Sequence, residues 1–212
     1  MKKYILGILV IVLVVFVSCI KRDDTPPIIN MNPPDSLAHI LNAPYTDPGA
    51  TATDEADGNI TNNMYIKNNL DVNMVGEYTI VYSVIDKQGN EASPATRWIF
   101  VYNQAWSYAG QYNVTETEVF PSVGATEFTA IVKADTTLNN RINFLSFAGS
   151  TANAVYGDIY DSVIIIPFQI VGNDTISVAI QGSGSINDSI ISLQYTKKDT
   201  IGTSLWNADF KR

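Results

Sequence analysis

The sequence predicts an all-β protein built as two antiparallel modules in series, the second either a sandwich or a small barrel. Three observations carry this. Apolar and polar residues alternate with a period of two along most of the chain, as in strands whose neighbouring side chains take opposite faces. Clusters of Asp, Asn, Gly and Pro punctuate these runs at short intervals. Beyond the N-terminal apolar run, no long stretch has the period of an amphipathic helix.

Lys2 and Lys3 open the chain, and an apolar run extends from Ile5 to Val17, broken only by Gly7. Its 13 residues fall short of the roughly 20 a membrane-spanning helix needs, so it reads as a secretory signal. It ends in Phe16-Val17-Ser18-Cys19, and Cys19 is the single cysteine. A small residue before a lone cysteine at that place resembles the signal of bacterial lipoproteins, with Phe16 where Leu is commoner. The resemblance implies that a peptidase cuts before Cys19, which then carries acyl chains. Each buried methylene then adds about 0.8 kcal/mol, and two or more chains hold firmly. On this reading residues 1–18 are the signal peptide and residues 19–24 a lipidated tether. Removing residues 1–18 with their two lysines leaves 194 of 212 residues and moves the formal charge from −8 to −10. So acidic a surface argues against nucleic acid and anionic lipid as partners. The mature chain has no cysteine pair, so burial must supply its stability.

Lys21-Arg22-Asp23-Asp24 resembles the export signal of Bacteroidota lipoproteins, which implies the outer face of the outer membrane. Pro26, Pro27, Pro33 and Pro34 stiffen the adjoining segment, and Ile28-Ile29 between them suit an edge strand. The clearest strand runs from Tyr78 to Val84, with Tyr78, Ile80, Tyr82 and Val84 on one face. Asp86-Lys87-Gln88-Gly89-Asn90 is a turn by composition, and Thr96 to Tyr102 is a further strand. A boundary falls near Asn103-Gln104-Ala105, dividing residues 25–103 from 104–212.

The first of these modules resembles a bacterial Ig-like domain family found in Bacteroidota surface lipoproteins, Gram-positive surface proteins and some insecticidal crystal proteins. The residues that carry this are Tyr45-x-Asp47-Pro48-Gly49-Ala50-x-Ala52-x-Asp54, Asp57-Gly58-Asn59-Ile60-Thr61, Val75-Gly76-x-Tyr78-x-Ile80-x-Tyr82-x-Val84-x-Asp86, Gly89-Asn90-x-Ala92 and Thr96-Arg97. Asn42 stands where that family often has glycine, and asparagine tolerates the same left-handed backbone. The resemblance implies an Ig-like β-sandwich and brings no enzymatic activity. Asp47-Pro48-Gly49 and Asp57-Gly58-Asn59 read as turn markers. Gly76-x-Tyr78 suits a tyrosine hydroxyl bonding back to the backbone.

For the second module the expected strands are Gln111–Val119, Glu127–Lys133, Arg141–Phe147, Val155–Tyr160, Ser162–Val171, Thr175–Gln181, Ser189–Thr196 and Leu205–Phe210. Pro167 donates no ladder bond, so its strand must lie at an edge or be bulged there. Tyr108-Ala109-Gly110-Gln111-Tyr112-Asn113-Val114-Thr115, Ile166-Pro167-Phe168-Gln169 and Gly182-Ser183-Gly184-Ser185 make the half similar to the β-rich module paired with such Ig-like domains in small Bacteroidota lipoproteins. That module has no assigned function.

Candidate chemistry is sparse. His39 is the only histidine, so any Ser-His-Asp set would have to be built on it, and a zinc site of several His or Cys ligands is ruled out. Carboxylate-only glycoside hydrolysis would need two acids about 5–10 Å apart in a cleft, and no pair stands out. No cofactor is expected. Asp54, Asp57 and Asp86 are weak calcium candidates, acids in turns being the simpler explanation. Trp98, Trp106, Tyr108 and Trp206 are the large aromatics available to stack on sugar rings. Trp106, Tyr108 and Trp206 are the candidate ligand-stacking set, with packing at the module boundary the simpler role for Trp106 and Tyr108. Seven of 15 aspartates precede Ser or Thr, which resembles the O-glycosylation acceptor pattern of exported Bacteroidota proteins. The acceptors would be Ser36, Thr136, Ser162, Thr175, Ser189 and Thr200, although Asp closing a turn before a β-branched strand produces the same pattern. Taken together, these readings predict a non-enzymatic surface lipoprotein, an Ig-like spacer presenting a distal β module that binds a polysaccharide. The alternative is a structural or protein-interaction component of an outer-membrane complex, with a transporter as the candidate partner.

Overall fold

The computed structural model describes residues 22–148, 154–172, 177–187 and 189–212. The signal peptide, Cys19, Lys21 and Thr175 lie outside the described residues. No helix among the described residues is long and apolar enough to cross a membrane. The chain folds into two compact units that interleave in sequence. One gathers residues up to Asp35 with Asp47–Asn68 and Thr79–Arg97, and the other gathers Ser36–Thr46, Asn69–Tyr78 and Trp98–Arg212.

Among the described residues, seven strands form two sheets. β1 (Ile28–Met31), β3 (Ala50–Asp54) and β4 (Gly58–Asn59) make a three-stranded sheet in the order β1-β3-β4. Ile28-Ile29 thus form an edge strand, as the flanking prolines suggest. β2 (Ser36–Ile40), β5 (Tyr65–Asn68), β6 (Gly76–Ser83) and β7 (Ala95–Tyr102) make a four-stranded sheet in the order β2-β7-β6-β5, with β2 parallel to β7. The alternation of β6 holds: Ile80 and Tyr82 are buried, and Val84 just beyond the strand joins a small core with Ala52, Ile60 and Ala92. The Tyr78 hydroxyl donates to the Met74 carbonyl at 2.9 Å, the back-bond expected of Gly76-x-Tyr78. Asn42 adopts φ of 64°, the left-handed conformation asparagine tolerates.

Asp47 is more than a turn marker. Arg97 is completely buried, and its Nε donates to Asp47 Oδ1 at 3.0 Å while Nη2 donates to the carbonyls of Asn32 (2.8 Å) and Gly49 (3.0 Å). The Tyr82 hydroxyl donates to the other Asp47 oxygen at 2.5 Å. Burying a guanidinium is tolerable only when its charge and donors are all answered, and one carboxylate with a ring of carbonyls does that. Nothing in the local pattern of residue 97 foretells this role.

The remaining eight strands close into a barrel: β8 (Gly110–Phe120), β9 (Gly124–Ala134), β10 (Arg141–Phe144), β11 (Val155–Tyr160), β12 (Val163–Gly172), β13 (Ser177–Ile186), β14 (Ile190–Lys198) and β15 (Thr203–Lys211). Each pairs antiparallel with its neighbour in sequence, and β15 closes on β8. Of sandwich and barrel, the barrel is what forms, because every strand finds a partner on both sides. Its interior holds a packed core of buried side chains. Phe144 lies 5.0 Å from Phe210 and 5.4 Å from Phe147, and Phe147 lies 4.8 Å from Tyr195, measured between ring centroids. The strand expected to reach Phe147 stops at Phe144, and Phe147 itself is buried in that core.

Pro167 does not sit at an edge, since a closed barrel has none; the strand is bulged between Ile166 and Gln169 instead. The β11–β12 register, continued, sets Tyr156 opposite Pro167. Gln169 fills the gap left in the ladder: its Oε1 accepts from the Tyr156 N–H at 3.1 Å and its Nε2 donates to the Tyr156 carbonyl at 2.8 Å. Gly182 and Gly184 face Tyr195 and Leu193 across the β13–β14 pair. A Cβ at Gly184 would lie 1.9 Å from the Ser192 carbonyl oxygen, so this position admits no side chain without moving the backbone.

Asn103, near the expected module boundary, is fully buried. Its Oδ1 accepts from the N–H groups of Ala105 (2.8 Å) and Asn140 (2.9 Å), and its Nδ2 lies 2.9–3.2 Å from the carbonyls of Asp135, Leu138 and Arg141. A residue so engaged ties the start of the Gln104–Tyr108 turn of helix to the loop before β10.

Candidate functional site

On β7 the inward residues are Arg97, Ile99 and Val101, which leaves Trp98, Phe100 and Tyr102 on the outer face. Trp98 is 55% exposed and Phe100 46% exposed. Phe100 and Tyr102 lie parallel, with centroids 6.4 Å apart and planes within 3°. The parallel register of β2 sets Ser36 beside Trp98 and Ala38 beside Phe100. Two small side chains next to two large rings leave a trough of about 430 Å³, and Glu77 of β6 contributes to its wall. The trough therefore offers ring faces spaced along a strand, a hydroxyl and a carboxylate.

The aromatic set expected from the sequence does not assemble into one surface. Trp106 is 65% exposed, so packing does not explain it. Tyr108 is partly buried against the barrel core and its carbonyl accepts from the Tyr112 hydroxyl at 2.9 Å. Trp206 also packs against that core, stacked on Tyr195 at 6.4 Å, with Nε1 donating to Ser204. Trp206 pairs with Glu118, near the far end of β8 from the Gln104–Tyr108 helix. Eight residue steps of strand, about 26 Å, separate Gly110 from Glu118, so Trp206 and the helix that carries Trp106 lie toward opposite ends of β8. Trp98 belongs to the trough, and Phe100 is the partner that sequence reasoning missed; its place in the outward alternation of β7 was the available signal. A second trough of about 380 Å³ lies beside the Pro167 bulge, with Phe168 62% exposed at its edge.

His39 bonds the Ala43 carbonyl at 3.1 Å and meets Tyr45 edge-on at 5.3 Å, a packing role. Asp57 stands apart from Asp54 and Asp86, because Lys87 takes it through both Nζ (2.8 Å) and the backbone N–H (2.9 Å) and thereby holds its carboxyl below the usual range. Asp54 and Asp86 do meet, together with Asp23. Burial pushes Asp86 up, but donors from Asn90, Gly89 and Gln88 outweigh it and hold the group low. Arg22 pairs with Asp24 at 2.9 Å on the surface.

The five described glycosylation candidates, Ser36, Thr136, Ser162, Ser189 and Thr200, are all exposed. Two of the preceding acids are engaged in turns. Asp135 Oδ1 accepts from the N–H groups of Thr137 and Leu138, and Asp199 Oδ1 from those of Ile201 and Gly202.

Inside the barrel Glu116 is 1% exposed, and its Oε1 accepts from the Ala148 N–H at 3.0 Å. Burial pushes its carboxyl above the ordinary value. Burial, and then the Glu116 charge, push the Tyr195 phenol up as well, although Tyr195 Oη makes no hydrogen bond of regular geometry.

Residues 34–101 match the family model of a bacterial surface protein Ig-like domain. Comparison with curated proteins gave no match. Among solved structures the chain is similar to a lipoprotein from Bacteroides thetaiotaomicron, at 15% identity and a TM-score of 0.36, covering 87% of this chain and all of that one. It is similar to a protein from Bacteroides fragilis at 13% identity and a TM-score of 0.34, covering 88% of this chain and 94% of that one. The CBM51-2 and INT domains of Clostridium perfringens ZmpB, in a complex with GlcNAc, align at 18% identity and a TM-score of 0.30, covering 87% of this chain and 47% of that one. At these scores none of the three bears on function.

Proposed function

We propose that this protein is a non-catalytic, lipid-anchored glycan-binding protein of the bacterial surface, and that the β7 trough holds the sugar. The observation that supports this reading is the pair of exposed rings, Trp98 and Phe100, at alternate positions of one strand. Alternate residues of a strand are about 6.6 Å apart, so both rings can engage one saccharide chain. Sugar C–H faces stack on aromatic rings, while Glu77 and Ser36 at the trough accept and donate to ring hydroxyls. The binding face is thereby assigned to strands of the Ig-like match, with residues 104–212 as a closed, core-filled barrel beside it in sequence. The division at residue 103, the acyl anchor on Cys19, the export signal and placement on the outer membrane belong to this proposal. The test is a glycan array with the full chain, and then titration of the best hit against Trp98→Ala and Phe100→Ala. Each substitution is expected to weaken binding about tenfold, which is roughly 1.4 kcal/mol. Because both rings are exposed, melting temperature should stay the same; unaltered binding in both variants would defeat the reading. The alternative role as a protein-binding component draws on the exposed edge strand β5, where Tyr65 is 68% and Ile66 49% exposed. Co-purification of an outer-membrane transporter without glycan binding would favour it.

A further inference from the structure

Three aspartates from three separate stretches converge: Asp23 ahead of β1, Asp54 at the end of β3, and Asp86 in the turn after β6. One carboxylate oxygen of each lies within 4.8 Å of the other two. Each acid spends oxygens on local donors. Asp54 Oδ1 accepts from the N–H groups of Ala56 (2.9 Å) and Asp57 (2.8 Å). Asp86 Oδ1 accepts from those of Gln88 and Asn90 (2.8 Å each), and its Oδ2 from Asn90 Nδ2 at 2.7 Å. Asp23 Oδ1 accepts from the Thr25 N–H (3.1 Å) and hydroxyl (2.5 Å). That leaves Oδ2 of Asp23 and Oδ2 of Asp54, both buried and both without a donor, on a cluster where Asp54 as a whole is only 9% exposed. Lys87, beside the cluster, is bonded to Asp57 instead.

Buried anionic oxygens with no donor are costly, and three carboxylates this close add mutual repulsion. A bound cation answers both. The donor set is all oxygen, which selects a hard cation over zinc or copper. Calcium–oxygen distances of 2.3–2.6 Å allow two ligands on one ion to stand up to about 5 Å apart, and the observed spread fits within that. We infer that Asp23, Asp54 and Asp86 form a calcium site that clasps the segment ahead of β1 onto the sandwich. Asn90 Nδ2, 3.1 Å from the Asp23 carbonyl oxygen, already holds that segment in place. Since residues 19–24 begin at the anchoring cysteine of the proposed lipoprotein, the clasp fixes the end of that lipidated tether to the sandwich. The site itself does not depend on the glycan reading or on the anchor.

The test is calcium titration of the full chain in detergent, by calorimetry and by melting temperature in EDTA and in CaCl2. We expect saturable binding in the 10⁻⁴–10⁻³ M range of extracellular modules. A rise in melting temperature should accompany it, along with calcium-dependent protection of residues 22–27 from limited proteolysis. Asp23→Asn lies outside the strands and Asp54→Asn keeps the Oδ1 turn acceptor, so both should fold while weakening calcium at least tenfold. Asp57→Asn, whose acid is bonded to Lys87, should bind as the parent does. Identical melting in EDTA and calcium would overturn the site. So would a cluster that only shares a proton, recognised by Asp54→Asn raising the melting temperature in EDTA with no calcium response in the parent.

Discussion

Arg97 shows how much a single buried side chain governs. Its guanidinium is answered by Asp47 and by backbone carbonyls of residues far away in sequence, so these partners depend on it in turn. Arg97→Met should cost about 3–5 kcal/mol, read by urea denaturation, because it leaves a carboxylate and several carbonyls unanswered in the interior. Glu116 makes the opposite kind of prediction. Its carboxyl is raised above 4.5 by burial, so between that value and its folded value the native state keeps a proton the unfolded chain has lost. Stability should therefore fall as pH rises through that window, by up to about 1.4 kcal/mol per pH unit. Glu116→Gln should flatten this slope and melt higher than the parent above the window, as thermal denaturation against pH will show. The raised pKa needs the barrel to be closed around the residue, and an alternating strand pattern carries no sign of it.

At the scale of the element, β12 was readable in part. A proline inside a strand had to sit at an edge or a bulge, and the bulge is what occurs. The sequence neighbour that repairs the ladder, Gln169, is two residues away, yet its role depends on Tyr156 across the strand pair. Gln169→Ala should cost about 1–3 kcal/mol by leaving the Tyr156 N–H and carbonyl unpaired, whereas Gln169→Glu should retain only the accepting half. β13 behaves similarly. Gly184→Ala should destabilise the barrel by several kcal/mol or prevent its closure, measured by the same denaturation, because a Cβ would meet the backbone of β14. The outward face of β7 was also legible, since Trp98 and Phe100 alternate with residues that turn inward; the small neighbours Ser36 and Ala38 were not, because they come from a parallel partner strand.

At the scale of the whole molecule, the prediction concerns the anchor. Cys19→Ala should move the protein from the membrane fraction to the soluble fraction, checked by fractionation and intact-mass analysis. Retention in the membrane would remove the lipoprotein premise while leaving the calcium and glycan tests intact. Intact mass also decides glycosylation: an unmodified mass would leave Ser36, Thr136, Ser162, Ser189 and Thr200 as exposed hydroxyls beside turns.

The sequence by itself determined the all-β class, most strand positions, the Ig-like resemblance of the first module and the turn chemistry of Asp135 and Asp199. Those features depend on neighbours within a few residues, where alternation and turn propensity act. Tertiary structure alone decided the barrel over the sandwich, the burial of Arg97 and Glu116, and the exposure of Trp106. It also decided which aspartates meet. Asp57 stood closest to Asp54 in sequence and paired with Lys87, while Asp23, 31 positions away from Asp54, took its place. Long-range packing sets such distances, and a one-dimensional pattern holds no record of them.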